Sequence, residues 1–166
     1  SFSGLDSIDV VSDGNGLADT LFTSSTLAEV NALTALIVSS SEDSVNFTIN
    51  SIAGGISYYT IIPETFTTPV DSLVTVNVTA YDVNDNPVLS DNTTRVEYLT
   101  TGSRVRFVIG AGDTVLTAGA TSFTFADSAA ENMNLTVRSE GDASETGTSG
   151  LITVTPGPAE TICSSV

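Results

Sequence analysis

Residues 73–81 read Leu-Val-Thr-Val-Asn-Val-Thr-Ala-Tyr, so that apolar side chains occupy every second position between Val74 and Ala80. Successive side chains of a β-strand point to opposite faces of the sheet, and this alternation predicts a strand with one face in a core and the other in water. The same period recurs at residues 45–50, 104–109, 123–125, 133–138 and 152–155. The chain is therefore predicted to be built from strands.

Clusters of turn-forming residues separate these runs, at residues 13–16, 85–87, 110–113 and 156–158. Short strands at this spacing predict an all-β fold of antiparallel Ig-like β-sandwich repeats in tandem. The stretch from residue 25 to residue 38 is ambiguous, because Leu27, Val30 and Leu33 also suit a short helix. Its β-rich surroundings favour a loop followed by a strand over residues 32–38.

The charge balance excludes several classes of partner. The chain carries 20 acidic residues against 4 arginines, with no lysine and no histidine, for a formal net charge of −16. Nucleic acid and anionic membrane surfaces both require a basic patch, so neither is an expected partner. No uninterrupted apolar run reaches the roughly 18 residues that a membrane-spanning helix needs, so no membrane insertion is predicted in this segment.

Catalytic chemistry lacks its usual groups. Without histidine or lysine no general base is available to activate a serine or threonine, and no glycine-rich phosphate loop is present. A secreted hydrolase that uses two carboxylates is the remaining enzymatic alternative. The single cysteine, Cys163, excludes a disulfide within the chain and a thiolate metal site. The chain is predicted not to be an enzyme.

An internal repeat divides the chain. Residues 32–35 align with residues 134–137 at an offset of 102 positions, and residues 49–54 align with residues 152–157 at an offset of 103. This period equals the usual size of an Ig-like sandwich. We therefore predict the C-terminal half of one Ig-like repeat at residues 1–54, a complete repeat at 55–157 and the first strand of the next at 158–166.

The strand at residues 73–81 and the following Asp82-Val83-Asn84-Asp85-Asn86-Pro87-Val88 together resemble the opening hairpin of bacterial and archaeal Ig-like repeats of the invasin and intimin adhesin type. Residues 150–159 are similar to the end of such a repeat with its linker, and residues 12–18 to its late turn. Residues 126–129, Ala-Asp-Ser-Ala, depart from the Asn-Gly turn of the family. The resemblance implies a stalk, spacer or adhesive array and transfers no ligand site.

One cluster of oxygen-bearing side chains has two interpretations. Asp82, Asn84, Asp85, Asn86 and Asp91 lie within ten residues of one another and could hold Ca²⁺, the only cofactor that the sequence suggests. The alternative is a hairpin turn in which these side chains satisfy their own backbone.

Two further groups are candidate surface sites. Arg104 and Arg106 share the predicted outward face of one strand, where they could pair with nearby acids or contact an acidic neighbouring subunit. Sequons for N-linked glycosylation occur at Asn46, Asn77, Asn92 and Asn134. Three of these asparagines, Asn46, Asn77 and Asn134, lie on predicted strands and are expected on the outer face, where a glycan could attach.

We therefore expect a non-catalytic structural or adhesive module of an extracellular, cell-surface protein. Its expected partners are neighbouring repeats or identical subunits, and host or surface glycans are a further candidate. The first alternative is a self-assembling filament subunit that a neighbouring subunit completes by strand donation. The second is a lectin-like module, which would need a concave site with aromatic side chains.

Overall fold

The computed structural model describes residues 7–37, 40–109 and 114–158, and these residues form strands, turns and no helix. The all-β class predicted from the two-residue period is confirmed. The chain divides into two compact units, Ser1–Ala53 and Gly54–Val166. The boundary predicted after residue 54 lies one residue from this division. Cys163, the turn predicted at residues 110–113 and all but Pro158 of the predicted strand at 158–166 lie outside the described residues.

Thirteen strands occur in the described part of the chain. The first unit holds β1 (Val30–Ile37) and β2 (Ser40–Asn50). The second unit holds β3 (Tyr58–Pro63), β4 (Thr67–Pro69), β5 (Val74–Tyr81), β6 (Arg95–Thr100), β7 (Val105–Ile109), β8 (Thr114–Val115), β9 (Ala120–Asp127), β10 (Asn132–Met133), β11 (Leu135–Ser139), β12 (Thr146–Thr148) and β13 (Ile152–Thr155).

In the first unit, β1 and β2 form an antiparallel hairpin. Leu33 pairs with Phe47 and Ala35 pairs with Val45, so these four side chains share one apolar face of the ribbon. Leu33 is buried, but the Val45 and Phe47 side chains are 66% and 48% exposed. The strand predicted at residues 32–38 is thus confirmed as far as Ile37, and it begins earlier, at Val30, whereas Val38 lies outside the described residues.

In the second unit, one sheet has the order β3-β5-β9-β7 and the other the order β12-β11-β6-β8, with antiparallel neighbours throughout. Without the short strands β4, β8, β10 and β13, the sandwich has seven strands, which in chain order are β3, β5, β6, β7, β9, β11 and β12. The first, second, fifth and fourth of these form one sheet, and the third, sixth and seventh form the other. That is the immunoglobulin arrangement. The predicted Ig-like sandwich is confirmed.

Two parallel pairings depart from a purely antiparallel sandwich. Strand β12 pairs with β3 at Thr146 and Tyr58, which joins the edges of the two sheets. Strand β13 pairs with β4 and, on its other side, with β10, giving a small third sheet. In both pairings, a strand from the beginning of the unit lies beside a strand from its end. The alternation of apolar and polar residues does not reveal this neighbourhood.

The core is filled from alternate positions of the facing strands. Its largest fully buried apolar side chains are Val74, Val76, Val78, Val96, Leu116, Phe123, Phe125, Met133, Leu135, Val137 and Ile152. An aromatic cluster joins the two sheets, because Tyr98 on β6 stacks on Phe123 of β9 with ring centroids 4.1 Å apart. Phe107 on β7 meets Phe123 edge-on at 5.6 Å.

The run predicted as one strand at residues 133–138 is divided at Asn134. Met133 pairs with Ile152 in the small third sheet, whereas Leu135 pairs with Thr100 on β6. At the crossing, the Asn134 backbone N–H donates to Thr101 Oγ1 at 2.9 Å, and its Nδ2 donates to the Ser149 carbonyl at 3.0 Å. Apolar and polar residues continue to alternate across the point where the chain changes sheet. The sequence alone therefore predicts a single strand here.

Candidate functional sites

The Asp82 carboxylate closes the hairpin that follows β5. Asp82 is buried, and its Oδ1 accepts hydrogen bonds from the backbone N–H groups of Asn84 at 2.8 Å and Asn86 at 2.9 Å. Its Oδ2 accepts a hydrogen bond from the Gly54 backbone N–H at 2.9 Å. The Asn86 side-chain amide donates to both oxygens, at 3.1 and 3.0 Å. Asp82 therefore makes the hydrogen bonds to nearby backbone that the hairpin-turn interpretation expects of it.

These donors also set the protonation state of Asp82. Hydrogen bonds from the Asn86 side chain and from the Gly54 backbone lower the pKa of Asp82 from 3.8 to about 2. Both carboxylate oxygens already face N–H groups, so a cation at Asp82 would have to displace them.

The other acids of the predicted calcium cluster serve separate contacts. Asp85, at a φ of 64°, accepts a hydrogen bond from the Tyr58 hydroxyl at 2.9 Å. Asp91 Oδ1 accepts from the backbone N–H groups of Thr93 at 2.7 Å and Thr94 at 2.9 Å. Within the described residues, no three His, Cys, Asp or Glu side chains converge as metal ligands would. Calcium at Asp82, Asn84, Asp85, Asn86 and Asp91 stays a prediction.

The lowered pKa of Asp82 predicts a specific acid sensitivity. A carboxyl with a depressed folded-state pKa contributes stability that is present above its unfolded pKa and is lost as the pH falls through the folded pKa. We expect the wild-type thermal midpoint to fall between a pH of 3.8 and one of about 2. Asp82→Asn should lower the midpoint at neutral pH and flatten this acid limb, as measured by circular dichroism melting.

The matched control is Asp43→Asn, which removes one exposed carboxylate from β2. It should leave the neutral-pH midpoint and the acid limb unchanged. An Asp82→Asn variant with the wild-type pH profile would contradict the role of this carboxylate in the turn.

The sequon asparagines lie in different surroundings. Asn46 and Asn77 are exposed on β2 and β5, as expected for the outer face. Asn92 lies in a loop, where its Nδ2 donates to the Ser90 carbonyl at 3.2 Å and its Oδ1 accepts from the Ala118 N–H. Asn134 is half-buried at the crossing between sheets, contrary to the outward placement expected for strand positions. Glycosylation stays a prediction, and Asn46 and Asn77 offer the more open positions.

The four arginines fall into two groups. Arg138 on β11 pairs with Glu97 on β6, and Arg95 pairs with Glu140 at 3.2 Å, both at the surface. Arg104 is exposed immediately before β7 and Arg106 is exposed on it, and β7 is the end strand of its sheet. An interface at Arg104 and Arg106 stays a prediction.

A shallow cleft lies beside the Arg95–Glu140 pair. It is lined by residues 93–95, 139–142 and 145, all of them polar, charged or glycine. Sugar-binding clefts commonly present an aromatic ring to the apolar face of the sugar, and these residues supply none.

One pair of acidic residues, Asp127 and Glu131, was not predicted from the sequence. Asp127, the last residue of β9, is 2% exposed, and its carboxyl lies within hydrogen-bond reach of that of Glu131. The only signal was the departure from the family turn at residues 126–129, and it did not indicate burial.

Comparison with known proteins gives similarity in structure only. No family model and no curated protein matches the chain. InvD of Yersinia pseudotuberculosis is similar over 95% of this chain, with a TM-score of 0.52 and 16% sequence identity. A β-glycosidase from Bacteroides vulgatus matches 66% of the chain with a TM-score of 0.53 and 13% identity. A glycosyl hydrolase family 2 member from Bacteroides cellulosilyticus matches 75%, with a TM-score of 0.53 and 10% identity.

The chain spans 46% of the InvD structure, 15% of the β-glycosidase and 18% of the glycosyl hydrolase. The structural similarity supports the all-β sandwich fold, whereas sequence identities this low do not transfer any activity to this chain. In the described residues there is also no helix with the length and apolar character to cross a membrane.

Proposed function

We propose that this chain is a non-catalytic structural module of an extracellular surface protein, in which Ig-like units follow one another as a stalk or spacer. The observation that carries the proposal is a hairpin that occurs twice with the same strand register. The absence of histidine and lysine from the whole sequence supports a non-catalytic role.

The β1–β2 and β11–β12 hairpins pair their strands in the same register. Every cross-strand pair of the second hairpin equals a pair of the first displaced by 102 positions. The three corresponding pairs of the first hairpin are Thr34–Asn46, Ala35–Val45 and Leu36–Ser44, and the three pairs of the second are Thr136–Thr148, Val137–Gly147 and Arg138–Thr146. Even a cross-strand hydrogen bond recurs, from Thr34 Oγ1 to Asn46 Oδ1 and between the Oγ1 atoms of Thr136 and Thr148.

This equivalence supports the interpretation of the first unit as the C-terminal part of another Ig-like repeat. In the second unit the hairpin supplies the last two strands of a complete sandwich, and Leu135 and Val137 on its inner face are fully buried. In the first unit the corresponding face exposes Val45 and Phe47. An exposed apolar face beside unpaired strand edges needs a cover in the intact assembly.

The second candidate function is a filament subunit, in which an identical neighbour supplies the missing strands. The same exposed face favours it, because a head-to-tail contact that does not close on itself generates a fibre. Surface glycans as partners have less support, since the cleft beside Arg95 lacks aromatic residues.

A denaturing gel of the protein isolated from its source separates the two candidates. An array predicts one band far larger than the 17.1 kDa of this chain, whereas a filament subunit predicts a band near 17.1 kDa from material that forms fibres in electron micrographs. A 17.1 kDa protein that stays monomeric at high concentration would contradict both. Turnover of a polysaccharide substrate would contradict the non-catalytic role.

The exposed hairpin face gives a second prediction. Phe47→Asp places a charge on the apolar face and should reduce both binding of a hydrophobic dye and self-association of the isolated chain, as measured by sedimentation velocity. Thr48→Asp is the matched control, because Thr48 is the next residue of β2 and points to the opposite face. Equal effects of the two substitutions would show that added charge alone, rather than the apolar face, governs association.

A further inference from the structure

Asp127 has one carboxyl oxygen without a partner in the described structure. Its Oδ1 accepts a hydrogen bond from the Ala129 backbone N–H at 2.8 Å, whereas its Oδ2 is buried and accepts none. The residue is 2% exposed, so bulk water does not solvate this oxygen. A buried carboxylate oxygen without a donor is costly, and such groups normally hold a hydrogen bond, a proton or a cation.

Glu131 provides a second carboxyl at the same place. Its Oε1 accepts hydrogen bonds from the Ser103 backbone N–H at 2.6 Å and the Ser103 hydroxyl at 2.9 Å. The Glu131 and Asp127 carboxyls lie within hydrogen-bond reach of each other. Ionised carboxylates are acceptors only, so two of them in contact repel unless something positive lies between them.

The Arg104 backbone lies beside Glu131, but no arginine side chain in the described part of the chain forms an ion pair with Asp127 or Glu131. The neighbouring Asp71 adds a further negative charge, which raises the energy of an ionised Asp127. The ion pairs seen among the described residues, Arg95–Glu140 and Arg138–Glu97, do not involve Asp127 or Glu131. On its other side, Asp127 Oδ2 borders Gly102, where an added Cβ would lie 3.4 Å from this oxygen and would also meet Val105 Cγ2 and Met133 Sδ.

We propose that Asp127 and Glu131 hold a calcium ion between their carboxylates, with Asp127 Oδ2 as the inner ligand. Calcium accepts carboxylate oxygens with flexible geometry and completes its six to eight ligands with water, which reaches Glu131 because that side chain is half-buried at the surface. The net charge of −16 raises the local concentration of cations around the molecule. With two carboxylates, the expected dissociation constant is of the order of 10⁻³ M, as in weak extracellular sites. This site is distinct from the cluster at Asp82–Asp91 and does not depend on the proposed function.

The test is thermal unfolding of the full chain at about pH 7.5, with either about 5 mM CaCl₂ or EGTA. A ligand that binds only the folded state raises the midpoint, and at this affinity and calcium concentration we expect a rise of about 3–5 °C. Asp127→Asn and Glu131→Gln should each abolish the calcium-dependent rise. The amide oxygen of Glu131→Gln can still accept the hydrogen bonds from Ser103, so this variant is expected to fold. It therefore tests the site even if Asp127→Asn folds poorly. MgCl₂ should give a smaller rise, because magnesium demands stricter octahedral geometry.

Two controls locate the ion. Asp142→Asn removes an exposed carboxylate that accepts hydrogen bonds from the Ser144 hydroxyl and backbone N–H, and it should leave the calcium-dependent rise intact. Asp82→Asn should also leave the rise intact, although it lowers the midpoint itself. Loss of the rise in Asp82→Asn alone would overturn the proposal and place the ion at the hairpin turn. A wild type that does not respond to calcium, together with an Asp127→Asn variant of raised midpoint, would overturn it in favour of a shared proton.

Discussion

Replacing Gly147 with alanine is expected to destabilise the second unit by about 3 kcal/mol or more, which corresponds to a loss of more than about 10 °C in thermal midpoint. A Cβ at this position would lie 2.0 Å from the Tyr59 carbonyl oxygen and 2.8 Å from its carbonyl carbon. Those atoms belong to the backbone of β3, which cannot move aside as a flexible side chain does. The strain therefore falls on the contact between β12 and β3, which joins the edges of the two sheets.

Gly141→Ala is the matched control, because no atom lies within 4 Å of the Cβ that it would add. It should leave the midpoint nearly unchanged. The buried Tyr59 also contacts Ser139 on β11 through its hydroxyl at 2.5 Å, so a displaced β3 should perturb the near-ultraviolet circular dichroism of the tyrosines. A Gly147→Ala variant with wild-type stability would mean that β3 shifts at little cost and does not lock the two sheets together.

The sequence predicted most of the strands because burial on one face imposes a period of two. Strand β5 is the clearest case, since Val74, Val76, Val78 and Ala80 are buried as the alternation requires. What the period cannot encode is which strands become neighbours. The parallel pairing of β3 with β12 joins residues that are far apart in sequence, and neither strand carries a local signal for it.

One position of the internal repeat also shows that the sequence does not reveal which strands become neighbours. Alignment at an offset of 102 places Val45 of β2 opposite Gly147 of β12, and a valine in place of a glycine looks like ordinary divergence. The structure gives the difference a physical meaning, because the β3 backbone lies where a side chain at position 147 would be. Any strand that covers the first hairpin therefore cannot approach Val45 as β3 approaches Gly147.

The two polar sites also differ in how far the sequence could predict them. The turn at Asp82 was predictable because two of its three donor residues, Asn84 and Asn86, are close in sequence and belong to a known turn chemistry, whereas the third, Gly54, is distant. The Asp127–Glu131 pair was not, because the burial of Asp127 depends on the packing of β9 against distant segments such as residues 101–103. A carboxylate at the end of an alternating run looks solvent-exposed until the tertiary structure places it.

Phe123→Ala is expected to cost about 3–5 kcal/mol of unfolding free energy, the usual loss for a large aromatic side chain removed from a packed core. The ring of Phe123 is fully buried between Tyr98 of one sheet and Phe107 of its own sheet, with centroids 4.1 and 5.6 Å away. Its removal leaves a cavity where the two sheets meet and also takes away aromatic contacts worth about 1 kcal/mol. Urea denaturation measures the loss as a lower transition midpoint with an unchanged slope.

Phe66→Ala makes the same chemical change at a side chain that is 45% exposed, so it separates burial from residue type. It should cost less than half as much, because part of that ring is already in water and little cavity remains. Tyr98 supplies an independent readout, since it loses its stacking partner only in Phe123→Ala, and its near-ultraviolet signal should weaken in that variant alone. Equal losses in the two variants would mean that the aromatic cluster does not hold the sheets together. The sandwich would then depend chiefly on the aliphatic rows of β5 and β11.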